Sequence, residues 1–264
     1  MHEHKDLRQS DAETAPEGVS SSEALLNEKV EMIRSSYPNV VDGIGGRYAN
    51  VPGNQVHKIE VPVDGKPIGI NPGTGIIIEG NQEVVTEKIW GCAALYLTNG
   101  KQHAFIHMNP NQALPYRPWR EKVSPQTIVQ HWEEGTARRI ADSLKEVDGD
   151  KDDLSRYHGV FVINVGHANS NLYSQELLNE DANLFVAALS REGIGSVRIV
   201  TLPMSETALY RTPTRPEALF AIGKRQQYDS RGFLKDVPGV IEEGWIPLVG
   251  VDSQRFKMQE PTAQ

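Results

Sequence analysis

Between Val56 and Met108 the chain is cut into six short apolar runs: VHKIEVPV, KPIGI, GIIIEG, EVVTEKIW, CAALYLT and QHAFIHM. The separators are the turn signals DG, NPGTG, GN and NG. Runs of this length, bounded by Gly, Pro and Asn, are too short for helices and too regular for loop. They predict strands joined by tight local reversals, and hence a largely antiparallel sheet. No other feature constrains the fold as much, because such a sheet must bury an apolar face against a second layer.

Helices are available for that layer. SPQTIVQHWEEGTARRIADSLKEV opens with Ser124 as N-cap and Pro125 at the first helical position. Ile128, Trp132, Ile140 and Leu144 recur at helical spacing and read as core. GVFVINVG (159–166) is continuously apolar, as in a strand covered on both faces. A second helix, SQELLNEDANLFVAALSREG, follows with Ser174 as its N-cap, and then the strand SVRIVTLP (196–203). Residues 205–235 read as mixed, with 211–232 as a solvated loop, and VIEEGWIPLVGV (240–251) reads as a last strand or hairpin. Residues 1–19 are polar and read as a disordered arm. Residues 20–37 read as a short helix, and 40–55 as a glycine-rich loop whose GIGG lacks the spacing of a phosphate cradle. The expectation is a single α/β domain over residues 20–264, built on a largely antiparallel sheet.

Charge and cysteine content exclude several functions. The formal net charge of −8 offers no basic face to nucleic acid or to an anionic membrane. No apolar run is long enough to insert in a membrane, and the first residues lack the apolar core of a secretory signal. A single cysteine, Cys92, excludes an internal disulfide and a thiolate zinc site. No metal ligand set or organic cofactor motif is expected.

That one thiol lies in TEKIWGCAALYLTNGKQHAFIHMNP, residues 86–110. Asn99-Gly100 is a strong hairpin signal. A two-residue loop there pairs Thr98 with Lys101, Tyr96 with His103, Ala94 with Phe105 and Cys92 with His107. Directly opposite residues share a face, so thiol and imidazole are expected side by side, with Cα atoms about 5.5 Å apart. The other face carries Ala93, Leu95, Leu97, Ala104 and Ile106, so Cys92 and His107 are expected on the face away from the core. His103, nearer the turn, reads as an exposed hairpin residue. A thiol beside an imidazole suits nucleophilic catalysis, the imidazole taking the proton and stabilising the thiolate. Gly91 lets a substrate approach the backbone, where an N–H can serve as oxyanion donor. The competing reading makes Cys92 a small packing residue.

Gly91-Cys92 on a strand, with His107 fifteen residues later across a hairpin and Thr86 six residues before the thiol, resembles the Cys-His glutamine deamidases. These include the cytotoxic necrotizing factor and Burkholderia lethal factor toxins and the chemoreceptor glutamine deamidase. The toxins carry an LSGC-like motif where this chain has IWGC, residues 89–92, so Trp90 stands in place of Ser. The resemblance covers about 25 residues. It implies a β-sandwich flanked by helices. It implies hydrolysis of a glutamine side-chain amide in a substrate protein through a Cys92 thioester. His107 would act as general base and acid, and Thr86 would orient it by hydroxyl or by backbone carbonyl. It implies no cofactor. The setting it implies is the bacterial cytoplasm or the cytosol of a host into which an effector is delivered. Gly91, Trp90 and Phe105 then border the substrate.

NVGHANSN (164–171) ends a buried strand, where α/β folds often place a ligand crevice. His167 and Asn169, with Asn164, are therefore further candidates for substrate binding, against a plain helix entry. Two other functions stay open at this point: a Cys-His amidase or peptidase acting on another amide, and a non-catalytic interaction protein.

Overall fold

The computed structural model describes residues 56–58, 68–70, 73–80, 82–89, 92–108, 124–149, 153–164, 175–202, 204–231 and 234–248. The arm, helix and glycine-rich loop read over 1–55 lie outside the described residues, as do Ser174 and the side chain of Trp132.

Eleven strands form two sheets among the described residues. The first is ordered β1 (Val56–Lys58), β3 (Thr74–Glu79), β6 (Gln102–Met108), β5 (Ala93–Thr98), β7 (His158–Asn164) and β8 (Val197–Leu202). The second is ordered β11 (Leu234–Pro247), β10 (Ala218–Tyr228), β9 (Met204–Arg211), β4 (Val84–Ile89) and β2 (Ile68–Ile70). Six of the nine strand pairings are antiparallel. Three helices lie among the described residues: α1 (Pro125–Glu134), α2 (Thr136–Asp148) and α3 (Gln175–Arg191). The chain is a sheet-dominated α+β fold, a largely antiparallel sandwich with helices on one side.

The layering follows from strand alternation. In β5, Ala93, Leu95 and Leu97 join the helical residues Ile128, Ile140, Leu144 and Phe185 in one core. Ala94 and Tyr96, one residue out of phase, join Ile70, Val84, Ile89 and Leu209 of the second sheet in another. Strand β7 behaves alike, with Phe161 and Ile163 toward the helices and Val160 and Val162 toward the second sheet. The first sheet is thus buried on both faces, as the unbroken apolar run at 159–164 requires.

Two elements differ from the sequence reading. The helix beginning at Ser124, whose Oγ accepts the Thr127 N–H at 3.2 Å, is two helices. Gly135 separates them with φ −118° and ψ −111°, outside helical geometry. Residues 211–232, read as a solvated loop, hold strand β10, and the mixed stretch before them holds β9. Their polar side chains hide the pattern, because Ser205, Thr207 and Arg211 are buried.

Strand β4 carries one feature that shapes the site. Thr86 pairs with Leu209, but Ile89 pairs with Thr207, so β4 spends one residue more than β9 between those points. The β-bulge reverses the alternation. Val84 and Ile89 both point into the inter-sheet core although their spacing is odd, while Val85 points outward.

Candidate functional site

The β5–β6 hairpin turns one residue later than Asn99-Gly100 implies. Thr98 pairs with His103, Tyr96 with Phe105, and Ala94 with His107. The two central residues are Gly100 and Lys101, with Gly100 at φ +87°, glycine's place in a type II′ turn. Asn99 serves instead as a flanking residue whose Oδ1 accepts the N–H groups of Lys101 and Gln102 at 3.0 and 2.7 Å. Cys92 is therefore not directly opposite His107. The shift moves both strands together, so alternation is kept: Cys92, Ala94, Tyr96, His103, Phe105 and His107 share a face, with His107 on the diagonal from Cys92.

That face is not exposed. It packs against the second sheet, and His107 is 0% exposed. Cys92, at the mouth of the strand, is half-buried against the same core. His103, expected at the surface, is 6% exposed. The sequence shows one apolar face of the hairpin; only the second sheet makes the other a core as well.

Thr86 and His107 are brought together from opposite sheets. Thr86 Oγ1 lies 2.7 Å from His107 Nδ1 and donates its only proton to the Ile70 carbonyl at 3.0 Å. It must therefore accept from Nδ1–H, which leaves the lone pair on Nε2. The orienting group is the hydroxyl, not the backbone. Among the described residues, Nε2 is buried without a hydrogen-bond partner. Burial pushes the imidazole pKa down to about 4, so His107 is neutral at pH 7.

The same strand supplies a control. His103 Nε2 accepts from Arg211 at 3.1 Å, and its Nδ1 lies 2.7 Å from Tyr96 Oη and 3.0 Å from Thr98 Oγ1. Arg211, 1% exposed, also donates to the Gly80 and Gln82 carbonyls and to Tyr96 Oη. Both nitrogens of His103 are satisfied, whereas His107 keeps one bare. A buried unsatisfied acceptor costs about 1–3 kcal/mol, and structural histidines avoid it. The arrangement makes His107 a fixed, neutral proton acceptor facing the thiol's side of the hairpin.

Phe105 lies between the two histidines, 1% exposed and edge-on to Tyr96 at 5.6 Å, where it forms a wall of the inter-sheet core. Asn164 ends β7 buried, with its amide bonded to Ile89 and Thr207. Trp90, Gly91, His167 and Asn169 lie outside the described residues. The sequence reading missed Arg211 and Thr207. Arg211 sits in a Pro-rich stretch that looks like loop, and no local signal marks either one as buried. Among the described residues no cluster of His, Cys, Asp or Glu could hold a metal ion, and no helix is long and apolar enough to cross a membrane. The chain matches no protein-family model and no curated protein sequence.

Proposed function

We propose that the chain is a cysteine-dependent protein glutamine deamidase. The observation that carries the reading is the buried relay Ile70 O, Thr86 Oγ1, His107 Nδ1, which leaves Nε2 bare on the face of Cys92. The likeness of Gly91-Cys92, His107 and Thr86 to the Cys-His deamidases supports it independently.

With the imidazole pKa near 4, thiol and imidazole rest uncharged rather than as a preformed ion pair. The proton moves as sulfur attacks. Cys92 Sγ bonds to the carboxamide carbon of a substrate glutamine while its proton passes to His107 Nε2. The tetrahedral intermediate collapses by breaking the C–N bond, and His107 returns the proton to the leaving ammonia. Water, deprotonated by His107, then attacks the thioester; glutamate and the free thiol result. Thr86 holds the ring in the one tautomer that presents a lone pair to the thiol. No redox partner enters this balance. The substrate is a protein with an accessible glutamine, in the bacterial cytoplasm or in a host cytosol.

The test is incubation of wild type and Cys92→Ser with cytosolic protein extracts from bacterial and animal cells, followed by peptide mass spectrometry. Glutamine-to-glutamate conversion at a discrete site, present with wild type and absent with Cys92→Ser, is the expected result. Cleaved peptide bonds in place of conversion would make the chain a peptidase. No covalent change in any protein would leave the relay without a deamidase function.

A further inference from the structure

Strands β5 and β7 pair Ala93 with Ile163 and Ala94 with Val162. Continued by one step, the same register sets Cys92 opposite Asn164. Directly opposite residues of an antiparallel pair point to the same side, with Cβ atoms about 4.5–5.5 Å apart. The thiol thus has His107 on the diagonal in one neighbouring strand and Asn164 abreast of it in the other. Asn164 is 4% exposed, and its Nδ2 donates to the Ile89 carbonyl at 2.9 Å and to Thr207 Oγ1 at 2.8 Å. Two acceptors on one nitrogen fix which way the amide faces. Ile89 is the residue where β4 regains its pairing after the bulge, three positions before Cys92. Thr207, fully buried, belongs to the second sheet. One amide therefore ties the segment leading into the thiol to both layers of the sandwich.

We infer that Asn164 is a positioning residue for the Cys92 thiol, acting through the Ile89 carbonyl and braced by Thr207. This rests on Cys92 being the nucleophile of the proposed reaction. The residue must also be neutral. A carboxylate of the same shape would set oxygen against the Ile89 carbonyl and a negative charge beside the developing thiolate.

The experiment reads the iodoacetamide alkylation rate of the sole cysteine across pH 5–10 in full-length wild type, Asn164→Asp, Thr207→Val and Thr207→Ser, with thermal unfolding alongside. A purely structural strap would lower the unfolding temperature and leave the alkylation profile where it was. Positioning predicts that Asn164→Asp, when folded, alkylates roughly tenfold more slowly at pH 7, with the rise of the profile moved about one unit or more upward. Thr207→Val, which removes only the brace, should slow alkylation, and Thr207→Ser should restore the wild-type rate. A folded Asn164→Asp with the wild-type profile overturns the inference. Should that variant not fold, a Thr207→Val protein that unfolds at lower temperature yet alkylates as wild type overturns it equally. A wild-type thiol that alkylates normally but deamidates nothing counts against the proposed function alone. An inert wild-type thiol overturns both.

Discussion

At the scale of the residue, the informative contrast is between two histidines four positions apart on β6. Each is buried, and each has its Nδ1 next to a threonine hydroxyl. His103 has Arg211 on its Nε2, and His107 has nothing. Thr86 matters only through the ring it holds, which gives a prediction. Thr86→Val keeps the shape but loses the hydroxyl, so the ring loses its fixed tautomer and Nδ1–H is left unpaired. In the proposed deamidation, turnover should fall by about 10²-fold, within the range that general-base catalysis contributes, with KM nearly unchanged. Thr86→Ser should recover most of it. Steady-state kinetics on a deamidated substrate checks this, and an equal rise in KM would show a binding role instead.

At the scale of the element, β4 and β7 make the site possible. The bulge in β4 lets Thr86 and Ile89 both serve the inter-sheet core. Deletion of Lys88 removes the extra residue, and Ile89 then follows Thr86 by two places, so plain alternation keeps it facing the inter-sheet core opposite Thr207. The loss of stability should therefore stay below the ~1.5–3 kcal/mol that burying such a side chain contributes. It should appear in urea denaturation, together with a changed alkylation rate at Cys92. Strand β7 approaches β5 so closely that a Cβ on Gly159 would lie 1.8 Å from the Tyr96 carbonyl oxygen. The clash is with backbone, which cannot swing aside. Gly159→Ala should therefore break the β5–β7 ladder, by about 4 kcal/mol or more. A near wild-type midpoint in urea would show that the two strands are more compliant than this packing implies.

At the scale of the whole molecule, buried polar bridges cross the sandwich at three levels among the described residues. Arg211 reaches Tyr96 and His103 from the second sheet, Thr86 reaches His107, and Thr207 meets Asn164. Two of these bridges bury imidazoles. His103 and His107 are both lowered to about 4, by burial in each case, with the Arg211 charge adding to it at His103. An unfolded histidine titrates near 6.5, so between about pH 4 and 6.5 the unfolded chain binds more protons than the folded one. Stability is therefore fully present above about pH 6.5 and is lost as pH falls toward 4. The slope approaches about 1.4 kcal/mol per pH unit for each histidine. Glu83, whose carboxyl is raised by burial, runs the other way, as one group against two. Urea midpoints at pH 7.5, 6 and 5 test the sign. His103→Gln should flatten the dependence, while a pH-independent midpoint would mean that the histidines are solvated.

The sequence by itself determined the short strands, the hairpin around Gly100, and the fact that Cys92, His103 and His107 share a face. Those properties are local: side chains alternate every two residues whatever the rest of the chain does, and a turn needs only its own glycine. The register survived an error of one residue in the turn because both strands shifted together and parity was kept. The sequence could not show that the shared face is a core. Burial of His107, the bare Nε2, the hydroxyl of Thr86 as its holder and the buried cation of Arg211 all depend on the second sheet. Its β9 and β10 are masked by polar residues that are buried only because partners from the first sheet satisfy them. Alternation is fixed by covalent geometry within a strand. The environment of each face is fixed by which distant strands pack on it, and that only the tertiary structure decided.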